Sequence, residues 1–192
     1  MNKQALISMI NSAHDSRIES AKASQKLNAN MTRELERARA ALTSESALSY
    51  MIRYRMNESH VARIYKEAQK TIFKIARTMI AIVDKDVNAL DKYSRAVLRQ
   101  VLHLKDQTRF YSYDQLKSMQ STSVTSNLSA SLDMSERRVI AQSTLSAQTP
   151  TTIHALSMLN LCETKDDNAK KYVRFNIDRK DIEFVQQLAE KE

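Results

Sequence analysis

The sequence predicts a mainly α-helical fold, with an N-terminal helical region over residues 1–90 and a C-terminal region over residues 91–192 that contains one β-hairpin. The chain of 192 residues has no glycine and one proline, a composition that suits long helices and disfavours all-β folds, which need glycine in their turns. Apolar residues recur at steps of three and four in most segments, as on the buried face of a helix. Alternation typical of a strand is found over residues 170–177.

Three helices are expected before residue 54. The first covers residues 3–27, where the apolar positions are few and small, so this helix needs a partner to be stable. Thr32 supplies an N-cap hydroxyl for the second helix, and Ser44 caps a continuation through Ile52. Where a turn needs a positive φ angle, asparagine is the expected substitute for glycine, and the candidates are Asn28, Asn30, Asn57, Asn88, Asn160 and Asn168.

The most regular segment, residues 59–83, is predicted to be one helix. Its apolar residues recur at steps of four and three and form a seam with a period close to seven residues. Such a seam favours self-association, so we expect a homo-oligomer formed through this helix. Asp84 to Asp86 ends the helix. The seam consists of Val61, Tyr65, Ala68, Ile72, Ile75, Met79 and Ile82.

The positive charge of the chain is concentrated near its N-terminus. The formal net charge is +8, and residues 1–82 carry 14 Lys and Arg against 7 Asp and Glu. Cations at helical spacing along the helix over residues 59–83 could follow a phosphate backbone, and a solvated helix face is the alternative. Arg53 and Arg55, just upstream, extend the same set. The five cations of this basic stripe are Arg63, Lys66, Lys70, Lys74 and Arg77.

No catalytic or cofactor site is recognisable. Without glycine, neither a phosphate-binding P-loop nor a dinucleotide fingerprint can form in its standard form, which disfavours nucleotide-driven enzymes and Rossmann dehydrogenases. The four histidines are scattered, and Cys162 has no second thiol beside it, so no metal site is expected. No Ser–His–acid arrangement is visible. We expect a protein that is not an enzyme and has no catalytic residues, cofactor or metal.

The C-terminal region begins with a helix over residues 94–104. Residues 109–113 are aromatic and predict a short strand, and Ser112 with Gln115 fits a capping box before a helix over residues 114–119. A Ser- and Thr-rich stretch follows, for which a short helix over residues 121–132 and a flexible linker both remain open.

The last part of the chain combines helices with the only hairpin. Thr149 followed by Pro150 predicts the start of a helix over residues 149–161. The hairpin follows over residues 161–177, because apolar and polar residues alternate along its second half. Two more helices are expected, one over residues 135–145 and one capped by Asp178.

Helix, turn, helix and hairpin in this order resemble a winged helix-turn-helix, a class of DNA-binding domain, within residues 94–192. The helix pair would be 135–145 and 149–161, and the resemblance implies contacts to DNA from the start of the second helix and from the hairpin. A second alignment uses residues 114–119 and 121–132 as the pair and resembles winged domains of replication initiators and regulators. The implied contact residues are Thr149, Thr151, Thr152 and His154 on the helix and Lys170, Lys171 and Arg174 on the hairpin.

We therefore expect a non-enzymatic nucleic-acid-binding protein, with DNA as the first candidate, acting as a small transcription or replication regulator or a packaging accessory factor of a virus or mobile element. The alternative is a structural or protein-interaction helical module, such as a virion component, an adaptor or a host-protein inhibitor. No apolar run approaches the roughly 20 residues that cross a bilayer. We expect no signal peptide, no membrane association and a cytoplasmic location, which the single cysteine fits.

Overall fold

The protein is described by a computed structural model, which covers residues 2–102, 109–120 and 142–175. The chain divides into two compact units, Met1–Ala89 and Leu90–Glu192. Helices dominate the described residues, and a small antiparallel sheet lies in the second unit, as the composition predicts. None of the described helices has the length and hydropathy of a membrane-spanning segment.

The first unit is entirely helical in its described part. Asparagine or serine caps the first four helices: the side chains of Asn2, Asn28, Ser44 and Asn57 each accept a hydrogen bond from the third backbone N–H of their helix. Its elements are α1 (Lys3–Ala23), α2 (Ala29–Leu42), α3 (Glu45–Arg53), α4 (Glu58–Tyr65), α5 (Gln69–Asp84) and a 3-10 turn (Val87–Ala89).

The caps confirm one predicted helix start and correct another. Ser44 caps α3 as expected. Thr32 does not cap α2, because Asn28 holds that position and accepts from Met31 N at 2.8 Å. The Thr32 hydroxyl instead donates to the Asn28 carbonyl at 3.1 Å, inside the first turn. The earlier start of α2 shortens α1, which ends at Ala23 rather than residue 27.

Four of the described helices are followed by a residue in the left-handed region, and in each case the residue after it donates its backbone N–H to the carbonyl five residues earlier. The left-handed residues of the first unit are Gln25, Arg55 and Lys85, with φ of 54°, 51° and 53°. Asn160 does the same after the last described helix. Of the six asparagines expected at positive φ, only Asn160 and Asn168 adopt it. The four closing bonds are Lys26 N to Ala21 O, Met56 N to Met51 O, Asp86 N to Ala81 O and Leu161 N to Leu156 O.

The core of the first unit centres on α5, which packs against α2 and α3, while α4 packs against α1. Ile72, Ile75 and Met79 of α5 are completely buried. Residues 59–83 are therefore not one helix, since the chain breaks between α4 and α5 at Lys66 to Ala68. The prediction that this seam mediates dimerisation is also wrong, because all of its members except Ala68 are buried in the core of the first unit.

The second unit contains three described helices and the sheet. Its elements are α6 (Lys92–Leu102), β1 (Tyr111–Ser112), α7 (Tyr113–Gln120), α8 (Gln142–Met158), β2 (Cys162–Asp167) and β3 (Lys170–Phe175). The sheet is antiparallel with the strand order β1-β3-β2. The three helices contact one another, and α7 and α8 also contact the sheet, around a core that includes Val97, Leu98, Leu116, Ile153, Leu156, Val173 and Phe175.

The hairpin and the capping box before α7 are confirmed. Asp167 pairs with Lys170, so Asn168 and Ala169 form a two-residue turn, with φ of 49° and 62°. Two left-handed residues are what a type I′ hairpin turn requires. At the start of α7, Gln115 N donates to Ser112 Oγ at 3.1 Å and Ser112 N donates to Gln115 Oε1 at 2.8 Å.

The predicted helix start at Thr149 is wrong. α8 runs without interruption from Gln142 to Met158 and has Pro150 inside it, so the expected turn at Thr144 to Ser146 is helical. Pro150 removes one backbone N–H from this helix, and α8 continues through it while packing on α6 and α7. The helices expected over residues 121–132, at residues 135–141 and after Asp178 lie outside the described residues.

Candidate nucleic-acid interface

Part of the predicted basic stripe remains on the surface of the first unit. Arg63 lies in the last turn of α4, Lys66 is its C-cap and Lys70 lies in the first turn of α5, and all three side chains are exposed. Arg55, the left-handed residue after α3, is exposed as well. Among the described residues, none of these four cations is in an ion pair. We call Arg55, Arg63, Lys66 and Lys70 the exposed cation group.

Three other cations of the prediction are not available in the same way. Lys74 is 5% exposed, because it lies on the part of α5 that is buried. The Arg77 guanidinium donates to the carbonyls of Asn88 and Ala89 and lies 5.8 Å from the centre of the Phe73 ring. Arg53 is exposed but already interacts within the chain. A continuous five-residue stripe from Arg63 to Arg77 is therefore wrong.

The predicted contact residues on α8 are mostly enclosed. Thr149 and Thr152 are each 1% exposed and so cannot contact DNA in this fold. Thr151 is half-buried, and its hydroxyl donates to the Ala147 carbonyl at 2.8 Å within the helix. His154 is exposed. Because α8 continues through Pro150, this segment lies in the middle of a helix that packs on α6 and α7, not at an exposed helix start.

The hairpin carries both predicted and unpredicted cations. Lys170 and Lys171 are exposed beside the turn. Arg174 is paired with Glu163 at 2.6 Å, and its guanidinium lies 5.0 Å from the centre of the Phe110 ring. Lys165, which the sequence did not single out, lies 4.6 Å from the Phe110 ring centre and 5.6 Å from that of Tyr172. The pairing of Lys165 with Tyr172 across the strands could have revealed it.

A groove between α1 and α4 brings together residues that the sequence did not connect. Its volume is about 330 Å³. Ser12, Ser16 and Ser20 line it from α1 at steps of four residues, which places them on one helix face. This spacing was the available sequence signal. The groove is also lined by Met9, Ala13, Arg17, Glu58, Ala62, Tyr65 and Lys66.

Beside the groove, His14 lies in the core, 3% exposed. Its Nδ1 is 3.1 Å from Asp15, and its Nε2 is 3.4 Å from Glu36 without a hydrogen-bond geometry. Its ring meets Tyr65 edge to face, with 6.2 Å between ring centres. Burial raises the pKa of the Tyr65 phenol well above its ordinary value, although the Arg39 guanidinium opposes the shift.

Cys162 is a core residue. Burial raises the pKa of its thiol to about 12, and Sγ donates a hydrogen bond to the Ile153 carbonyl at 3.4 Å. Over residues 2–102, 109–120 and 142–175, no three His, Cys, Asp or Glu side chains come together as metal ligands would.

Comparison of the chain with protein-family models, with curated proteins and with solved structures gave no match.

Proposed function

We propose that the protein binds nucleic acid, with DNA as the first candidate, and acts without catalysis as a small regulator or accessory factor. The observation that carries this proposal is the exposed cation group, four positive side chains within sixteen residues that no described carboxylate neutralises. In a helical protein with net charge +8, such side chains are available to phosphate groups.

Three members of the group, Arg63, Lys66 and Lys70, are close enough to contact one phosphate strand. Arg63 and Lys66 are three residues apart at the end of α4, so their side chains leave the same helix face. Lys70 follows after the break, and four peptide units limit its Cα to about 14 Å from that of Lys66. Phosphates along one strand of a duplex recur every few ångström, so three contacts fit a short stretch of backbone.

The layout of the second unit also supports the proposal. Over its described residues, the order of helix, short strand, helix, helix and hairpin is similar to a winged helix-turn-helix, although the helix pair expected at 135–145 and 149–161 has no turn at residues 144–146. Lys170 and Lys171 are exposed on the hairpin. Burial of Thr149 and Thr152 removes two of the four expected contact residues of this segment. Affinity is then expected from phosphate contacts, with little preference for sequence.

The test is a triple variant that replaces three cations by neutral glutamine, with a matched control. Arg63→Gln, Lys66→Gln and Lys70→Gln together remove three cations of the group, while Lys26→Gln, Arg33→Gln and Lys85→Gln remove three exposed cations elsewhere in the first unit. Binding of a fluorescently labelled 20-base-pair duplex is followed by anisotropy over a series of salt concentrations. Three lost phosphate contacts should reduce the slope of log K against log salt by about 2–3.

The control triple should keep most of the slope. Equal losses in both variants would mean that only net charge matters and would contradict a defined interface. No binding by the unaltered protein at low salt would remove the proposal and favour the structural or protein-interaction alternative.

A further inference from the structure

The groove between α1 and α4 is rich in hydrogen-bond donors. Arg17, Lys66 and three serine hydroxyls line it, against a single carboxylate, that of Glu58. The Arg17 guanidinium crosses from α1 to the end of α4, where Nη2 donates to the Glu67 carbonyl at 3.5 Å. The groove therefore offers a positive, donor-lined wall that begins next to the exposed cation group and shares Lys66 with it.

Two of these donors are buried without an acceptor. Tyr65 is 3% exposed, and its hydroxyl has no hydrogen-bond partner among the described residues; the same holds for Arg17 Nε. A buried donor without a partner lowers stability, so native proteins contain few of them. Because the raised pKa keeps the Tyr65 phenol protonated, this hydroxyl can donate at any physiological pH.

We propose that this groove binds one backbone phosphate of the bound nucleic acid, with the Tyr65 hydroxyl, the Arg17 guanidinium and Lys66 as its hydrogen-bond donors. We call this phosphate-binding site the seat. A phosphodiester carries several acceptor oxygens and a negative charge, which matches the donors of the groove lining; the carboxylates of Glu36 and Asp15 near the Tyr65 phenol and of Glu58 oppose this charge, and Arg17, Lys66 and Arg39 favour it. The seat rests on the proposed nucleic-acid binding and extends it, since Lys66 belongs to both surfaces and Arg63 is on the same helix.

The decisive variant is Tyr65→Phe, which removes one oxygen and keeps the buried ring. Without ligand, loss of an unsatisfied hydroxyl should leave the melting temperature unchanged or raise it. Affinity for the labelled duplex should fall about tenfold, because a hydrogen bond to a charged phosphate is lost. Arg17→Gln should weaken binding at least as much. Tyr93→Phe makes the same change on α6, outside the groove and the exposed cation group, and should leave the affinity unaltered.

The outcomes separate the seat from the proposed function. If the unaltered protein binds the duplex and Tyr65→Phe binds it equally well, the seat is overturned and nucleic-acid binding stands. If the unaltered protein does not bind, both are overturned. A lower melting temperature of free Tyr65→Phe would show that the hydroxyl already has a partner, such as water, and would also overturn the seat.

A second arm uses inorganic phosphate at constant ionic strength. The seat predicts that phosphate raises the melting temperature of the unaltered protein, raises it less in Tyr65→Phe, and competes with the duplex in the anisotropy assay. Stabilisation by phosphate without competition would mean that the groove takes a free anion and not the nucleic-acid backbone, which overturns the proposal.

Discussion

Lys85→Gly should stabilise the first unit. Lys85 follows α5 with φ 53° and ψ 34°, a left-handed conformation that costs a residue with a Cβ atom about 1–2 kcal/mol. Glycine removes this cost but adds freedom to the unfolded chain, which offsets about 0.4–1 kcal/mol. The side chain of Lys85 is exposed, and the closing bond from Asp86 N to Ala81 O at 3.2 Å involves backbone only. A net gain of about 0.5–1 kcal/mol follows.

The assay is urea unfolding followed by circular dichroism at equilibrium. In thermal unfolding of a unit of this size, the same gain in free energy of unfolding corresponds to a rise in melting temperature of roughly 3–6 °C. Lys85→Ala controls for loss of the charged side chain and should have little effect. Ala40→Gly, at an exposed position inside α2, should instead destabilise by about 1 kcal/mol. Destabilisation by Lys85→Gly equal to that of Ala40→Gly would refute the left-handed helix end.

The remaining predictions concern a cap, the core and the buried thiol. Asn28→Ala should cost about 1 kcal/mol in urea unfolding, because the α2 cap loses its acceptor, and no change would contradict the cap. Ile75→Ala should cost about 2–5 kcal/mol, while Ile75→Val costs about 0.5–1.5; a similar small cost for both would place Ile75 outside the core. At pH 8, Cys162 of the folded protein should react with a thiol reagent about a thousandfold more slowly than in urea, because the thiolate reacts and the pKa of the thiol is about 12 in the fold against 9.0 in the unfolded chain. Fast labelling of the folded protein would contradict the burial of this thiol. Stability should fall as pH rises from about 9 to 12, since the unfolded chain releases the protons of Cys162 and Tyr113 first; a flat profile would contradict both raised pKa values.

The sequence predicted those features that depend on neighbouring residues. The capping box of Ser112 and Gln115 and the cap at Ser44 were visible because a cap and its partner lie three residues apart. The hairpin was visible from the alternation in its second strand. In each case the signal and the structure extend over the same few residues.

Features that depend on packing were predicted poorly. The seam of residues 59–83 was recognised as buried but assigned to a partner, because periodicity does not tell which surface covers an apolar face. Thr149 and Pro150 were interpreted as a helix start, although α8 continues through the proline in a segment that packs on α6 and α7. Lys74 was counted as a surface cation, and its burial follows from α5 packing on α2 and α3.

The groove was missed because its residues are distant in sequence. Arg17 and Tyr65 are separated by more than forty residues and meet only when α1 packs against α4. The serine spacing along α1 was available, but a row of small polar residues is also typical of any solvated helix. The unpartnered Tyr65 hydroxyl, which gives the row its meaning, is visible only in the fold.

The central claim is that nucleic acid covers the exposed cation group, and lysine-reactive footprinting tests it most directly. The protein is acetylated briefly with and without the 20-base-pair duplex, and modification of each lysine is measured by mass spectrometry. Lys66 and Lys70 should be protected by the duplex, whereas Lys26 and Lys85, which are also exposed, should react as before. Unchanged reactivity at Lys66 and Lys70, in the presence of bound duplex, would contradict the account.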